Sequence, residues 1–449
     1  MRNRVRDGVF TLIPLVVLLL VFEGGTRWLE AWGLVDTTSD GDVVQYVYDD
    51  LFERQGDWVR TTRYAEEGMV PSRFRAEKGP DRWRLMLVGG SFAMGSPFVH
   101  QNEETEAAGS ITSWLRASAH ARFPGHPAEI INLGVGGQDS NRVRDVALKA
   151  LRQQPDVLVV ATCNNEGFLP PGVVSRHLRQ LGGYRLLVKL LRPEAASEDR
   201  PMHTLQHPDT EAIRAAHRDN LTAIRDAAAA QGVQVLFATL PVNILYEGVN
   251  RIHQIGHAPQ HDDACVEAGR AHYTAGSFDE AVETLSACDD VPGALRWIGL
   301  SRAAQGRAEE ARTALEQALE LAPYNRCRPS MNDNIRAVAG HLPGDGAALV
   351  DLDARAIAES ASGLPGADMF VDYCHMSREG YGVMADEIWR VLEREGWLPD
   401  WPADMASDAA WRQAVDSRGL QALEPVHKAL TWHPKPQPPG RSPAPSHPR

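Results

Sequence analysis

The hydrophobic pattern opens with a charge-free, mostly apolar run from Val9 to Phe22, interrupted only by Thr11 and Pro14. Further along, short wholly apolar stretches alternate with amphipathic ones. Arg84-Leu-Met-Leu-Val-Gly-Gly, Glu129-Ile-Ile-Asn-Leu, Asp156-Val-Leu-Val-Val-Ala-Thr and Val233-Gln-Val-Leu-Phe-Ala-Thr-Leu-Pro predict buried strands. Helical spacing falls between them, at Thr112 to Ala121, Asn141 to Arg152 and Thr210 to Ala230. After a long interruption, Ala347-Ala-Leu-Val-Asp-Leu predicts one more strand, and Gly380 to Glu395 a closing helix. Buried strands separated by amphipathic helices imply a doubly wound α/β fold, a parallel sheet covered on both faces. In such sheets functional residues gather at the carboxyl ends of the strands, where the Gly/Ser/Asn-rich turns of this chain fall.

The interruption has its own pattern. Ala271-His-Tyr-Thr-Ala-Gly-Ser-Phe-Asp-Glu-Ala-Val recurs loosely at Ser301-Arg-Ala-Ala-Gln-Gly-Arg-Ala-Glu-Glu-Ala-Arg, aligning Gly276 with Gly306 and Ala281 with Ala311. A Gly between two helices and small residues at their contact resemble tetratricopeptide helix pairs. Two copies are fewer than the ~3 a free solenoid needs, so the block should lean on the α/β domain. The expected organisation is an N-terminal anchor (1–35), a polar connector (36–80), an α/β domain in two pieces (81–261 and 326–395), a helical insertion (262–325), a helical extension (396–433) and a disordered Pro-rich tail (434–449).

Length supports more than one folded unit, since 449 residues exceed the ~250–300 at which a single core stops growing. A net charge of −13 argues against a nucleic-acid partner, which needs a basic face. The five cysteines show no zinc spacing, and Cys265 with Cys288 is the local candidate for a disulfide. Arg2, Arg4 and Arg6 precede the first apolar run, and Glu23, Arg27, Trp28 and Trp32 follow it. No A-x-A-like site comes after, which favours an uncleaved signal-anchor over a cleaved signal peptide. The arginines then hold the N-terminus in the cytoplasm and place the rest extracytoplasmically, in the periplasm, as a single-pass membrane protein.

Four blocks carry chemistry, each directly after a strand or before the last helix. The first is Gly89-Gly90-Ser91-Phe-Ala-Met-Gly95, a serine on a tight turn; alone it reads as an ordinary helix cap. Asn132-Leu-Gly134-Val-Gly136-Gly137 is the second, where glycine lets a backbone N–H approach a ligand. In the third, Cys163-Asn164-Asn165-Glu166, an Asn amide is placed to donate to developing negative charge. The fourth, Asp372-Tyr-Cys-His375-Met-Ser-Arg-Glu-Gly380, has the three-residue spacing that brings an acid and a histidine to one site.

In this order the blocks resemble the SGNH (GDSL-like) hydrolase superfamily, flavodoxin-like in fold. The Asn-Asn-Glu form and the inserted repeats resemble a membrane-anchored subgroup with tetratricopeptide insertions. The resemblance covers roughly residues 80–395. It implies Ser91 as nucleophile, His375 as its general base and Asp372 in support. It also implies an oxyanion hole made by the N–H groups of Ser91 and Gly137 and the Asn165 side chain. The sequence departs from the family at Gly90, where an Asp is usual, and at Cys163, where a Gly is usual. The implied activity is a serine esterase or O-acyl, for instance O-acetyl, transferase acting through an acyl-enzyme, with no metal and no cofactor. Expected partners are an ester substrate, such as an acylated glycan or lipid of the cell envelope, the membrane, and a protein on the helical repeats. The alternative is an inactive envelope interaction protein that binds a partner through those repeats.

Overall fold

A computed structural model describes residues 2–35, 51–62, 69–99, 109–167, 178, 181–191, 210–246, 264–321, 326–340, 346–404, 406–407 and 409–410. The Pro-rich tail and most of the expected C-terminal extension lie outside the described residues.

Five parallel strands form the centre: β4 (Trp83–Gly89), β5 (Ala128–Gly134), β6 (Val157–Ala161), β7 (Gln234–Ala238) and β8 (Ala347–Val350). Their order is β5-β4-β6-β7-β8. Counted from the first parallel strand this is 2-1-3-4-5, the flavodoxin-like arrangement, whose chain reverses direction across the sheet between β4 and β6. Every residue of β4 and β6 is buried, as a doubly covered sheet requires. The covering helices include α3 (Ile111–Arg122), α4 (Ser140–Leu151), α6 (Thr210–Ala230) and α13 (Arg378–Arg394). A further helix, α2 (Ser91–Met94), is a single turn after β4.

Register puts the ends of three strands level: Gly89 stands opposite Gly134 on one side and Ala161 on the other. The glycines permit this closeness. A Cβ on Gly89 would sit 2.0 Å from the Ala161 carbonyl oxygen, and one on Gly134 would sit 2.2 Å from the Met94 nitrogen.

The interruption comprises four helices in two hairpins, α7 (Ala264–Thr274) with α8 (Phe278–Leu285) and α9 (Pro292–Ala304) with α10 (Ala308–Leu321). Gly276 and Gly306 occupy the two inter-helix turns at φ +79° and +76°, where a side chain would be strained. Ile244 and Leu364 of the α/β domain share a buried cluster with Leu300, Ala311 and Leu315, so the hairpins rest on that domain. From there α11 (Pro329–Ala339) leads back into β8, which pairs with β7.

Three regions differ from expectation. The segment expected as a polar connector holds a small antiparallel sheet, β1 (Phe52–Gln55), β2 (Trp58–Thr61) and β3 (Arg73–Arg75). Leu51, Val59 and Phe74 from it enter the main core, too few apolar positions to show a period in sequence. The stretch 396–404 is irregular instead of helical, with Pro399 and Pro402 removing donors a helix would need, and Trp401 stacks on His126. The N-terminal segment is a helix, α1 (Arg2–Ala31), yet no helix among the described residues is long and apolar enough to cross a membrane. Its charge-free run of 14 residues spans ~21 Å, against ~30 Å of bilayer hydrocarbon.

Candidate active site

The first and third blocks emerge side by side at the carboxyl ends of β4 and β6, where the strand order reverses. Gly90 is the N-cap of α2 and Ser91 its first residue, so the serine stands on a turn rather than capping it. Asn132 holds that turn from below, its amide donating to the Met94 carbonyl (3.0 Å) and to Thr112 Oγ1 (3.0 Å) while its oxygen accepts from Gly134 N–H (3.0 Å).

The fourth block arrives from the loop before α13. Ser377 caps that helix, accepting from Gly380 N–H, and a Cβ on Gly380 would lie 2.6 Å from the Met369 carbonyl oxygen. Asn243, in the loop after β7, pins the block: its side chain donates to the Asp372 carbonyl (3.0 Å) and its N–H to the Tyr373 carbonyl (3.1 Å). His375 thereby reaches across to β4. Its Nε2 lies 2.7 Å from Ser91 Oγ, and its Nδ1 lies 2.7 Å from Asp372 Oδ2. The other Asp372 oxygen accepts from the backbone N–H of Cys374 (2.9 Å) and of His375 (2.7 Å). Three side chains separated by up to 284 positions thus form one hydrogen-bonded relay.

Charge in the relay follows from these contacts. Burial works to raise the Asp372 carboxyl, but the His375 ring and the two backbone N–H groups outweigh it and hold it below its ordinary value. Burial likewise opposes charge on His375, yet the adjoining Cys374 sulfur and the Asp372 carboxylate raise the imidazole to about 10.

The second and third blocks line the other side of Ser91. A methyl on Gly90 would come within 3.3 Å of the Gln138 carbonyl oxygen and 3.9 Å of Asn165 Nδ2, so both blocks abut the serine turn. Asn165 has φ +64° and Gly137 φ +68°, and space at Gly137 is open. A left-handed non-glycine residue costs energy and marks a position held by its surroundings.

Two holding elements have roles that the sequence did not reveal. Glu166 is buried, and its carboxylate accepts from Ser140 N–H (2.7 Å) and Ser140 Oγ (2.9 Å), tying the third block to the first residue of α4. Burial, with Asp139 nearby, pushes this carboxyl well above its ordinary value. Cys163 is bonded to Cys327, so its departure from the family pattern is a disulfide fastening the third block to the segment before α11. Cys265–Cys288, the pair expected from proximity, is also bonded. Cys374 is the remaining thiol, buried beside His375.

Asp372, Cys374 and His375 also bring three potential metal ligands within 4.8 Å of one another. Both ring nitrogens of His375 are engaged by Asp372 and Ser91, so a cation there would compete with the relay.

No family model matches the sequence, and no curated protein matches it. Among solved structures, the chain is similar to an α/β hydrolase enzyme from the metagenome of Lake Arreo, at 14% identity over 71% of this chain and 97% of that one, TM-score 0.32. A GDSL-like lipase from Bacteroides thetaiotaomicron matches at 10% identity over 69% and 88%, TM-score 0.32. An acetylxylan esterase from Geobacillus stearothermophilus matches at 12% identity over 71% and 97%, TM-score 0.33.

Proposed function

We propose that this chain is a serine esterase of the SGNH (GDSL-like) type. The observation that carries this reading is the Ser91–His375–Asp372 relay, with both side-chain links at 2.7 Å. His375 takes the Ser91 proton as Oγ attacks an ester carbonyl, and Asp372 holds the ring and stabilises the imidazolium. The N–H groups of Ser91 and Gly137 and the Asn165 amide receive the oxyanion. His375 then returns the proton to the departing alcohol, leaving an acyl-serine. Water releases the acyl group in hydrolysis; a second hydroxyl releases it in acyl transfer.

The reading extends to place. Arg2, Arg4 and Arg6 before an apolar run, followed by two disulfides in the body, support a membrane-attached protein whose site faces the periplasm. Its substrates are then O-acyl esters of envelope glycans or lipids. The helix hairpins are tetratricopeptide-like in their Gly turns and hold a protein partner.

A fluorescent organophosphate tests the chemistry. It should label the wild-type chain stoichiometrically and leave Ser91→Ala unlabelled. Equal labelling of both would remove Ser91 as the nucleophile.

A further inference from the structure

We infer that α1 and the short helix α5 (Gly182–Leu191) together form a lipid-seating surface, with α5 lying in the interfacial plane of a bilayer that α1 enters. The inference rests on the membrane attachment proposed above and adds a second contact element to it.

Exposed large apolar side chains are concentrated on these two helices and their flanks. Val16 to Phe22 are all exposed, as are Leu187, Leu190 and Leu191, the last two at 67% and 72%. Elsewhere among the described residues only Leu321 and Val371 are comparable.

The pair is built as one unit. The Glu23 carboxylate accepts from the N–H groups of Gly182 (3.0 Å) and Gly183 (2.7 Å), holding the start of α5 against the middle of α1. Two turns further along α1, Glu30 pairs with the buried Arg185 at 2.8 Å. A Cβ on Gly183 would lie 2.8 Å from the Phe22 ring, so the bare glycine lets that ring seat against the start of α5.

The exposure pattern points to lipid as the occupant. Seven consecutive residues, Val16 to Phe22, advance ~100° each and so cover the whole circumference of α1. A protein groove covers one stripe of a helix, whereas hydrocarbon covers every face. On α5, by contrast, Leu187, Leu190 and Leu191 follow the i, i+3, i+4 spacing of one stripe, the pattern of a helix lying in the interface. Trp28 and Trp32, with ring centroids 5.8 Å apart, follow the Glu23–Arg27 pair beyond the apolar run, where a headgroup belt would lie. The run on α1 alone falls short of the hydrocarbon thickness, and α5 adds apolar area where that run ends.

The test uses the full chain in vesicles of phosphatidylethanolamine and phosphatidylglycerol carrying a doxyl-lipid quencher. An environment-sensitive fluorophore is attached in separate proteins at Leu20→Cys, Leu190→Cys and Glu283→Cys, the last on the exposed face of the hairpins. Circular dichroism of each labelled protein verifies folding without reference to activity. Labels at 20 and 190 should lose most of their emission, and the label at 283 should keep it. Quenching at 20 with none at 190 overturns the role of α5 and leaves the anchor intact. Quenching at neither position, with the chain free of vesicles, overturns both and assigns the apolar faces to a protein.

Discussion

The two ends of the same parallel strands carry polar side chains for opposite purposes. At the amino end of β4, the fully buried Arg84 pairs with Glu129 at 2.8 Å and donates to the Arg75 carbonyl at 2.7 Å. Asp156 accepts from the Arg84 N–H at 2.7 Å and pairs with Lys78. Opposite charges there satisfy each other, and the outcome is a fastened strand and small sheet. At the carboxyl end, six residues or so away, the relay leaves Ser91 Oγ poised and Asn165 in a left-handed conformation. Stability is concentrated at one end and reactivity at the other, because a half-buried serine held by a histidine and strained turns need a rigid base.

The largest expected effect falls on the reactive end. Ser91→Ala and His375→Ala should each lower kcat by about 10⁴–10⁶-fold with an unchanged melting temperature, and the double variant should be no worse. Asp372→Ala should retain more turnover, since Asp372 forms no bond to substrate. Additive losses at Ser91 and His375 would show that the two do not share one transition state.

At the fastened end the expectation inverts. Arg84→Met takes the guanidinium from Glu129 Oε2, leaving Arg82 and the Arg75 N–H on Oε1, and should cost about 3 kcal/mol of unfolding free energy, read from denaturant melts. The kcat of the fraction that remains folded should be unchanged. A selective loss of kcat would mean that the two ends are coupled.

Asn165→Ala should lower kcat by ~10²–10³-fold with little change in KM, because its hydrogen bond strengthens only as the oxyanion forms. A matching rise in KM would assign the amide to substrate binding instead.

The smallest effect is on pH dependence. His375 acts as a base only when neutral, and its pKa is raised, so kcat/KM should climb as pH rises through the alkaline range. Cys374→Ser removes one of the influences that raise it and should move that limb to lower pH. A limb that stays in place would leave Asp372 as the main influence.

Much of the relay was legible in sequence because its three members sit in short, distinctive turns. Gly89-Gly90-Ser91 combines a functional side chain with glycines placed by local geometry, and Asp372-x-x-His375 sets two functional side chains three positions apart before Gly380. The groups that hold the relay were not legible. Asn243 and Asn132 look like loop and strand residues until the fold sets them against Asp372 and the serine turn. The β1–β3 sheet left no pattern in the sequence since its strands of three or four residues hold at most two alternations of the two-residue strand period. The expected helix after residue 395 neglected Pro399 and Pro402.

Local sequence by itself determined the strand and helix alternation, the inter-helix turns at Gly276 and Gly306, and which side chains were chemically suited to a nucleophile, base and acid. Each depends on residues within a few positions of one another, where periodicity and glycine conformations act directly. Tertiary structure alone decided that Cys163 would meet Cys327 across 164 positions, that Glu166 would tie the third block to α4, and that α5 would dock on Glu23 and Glu30 of α1. These contacts join segments distant in the chain, and the spacing of residues along a sequence carries no measure of the path by which the chain returns.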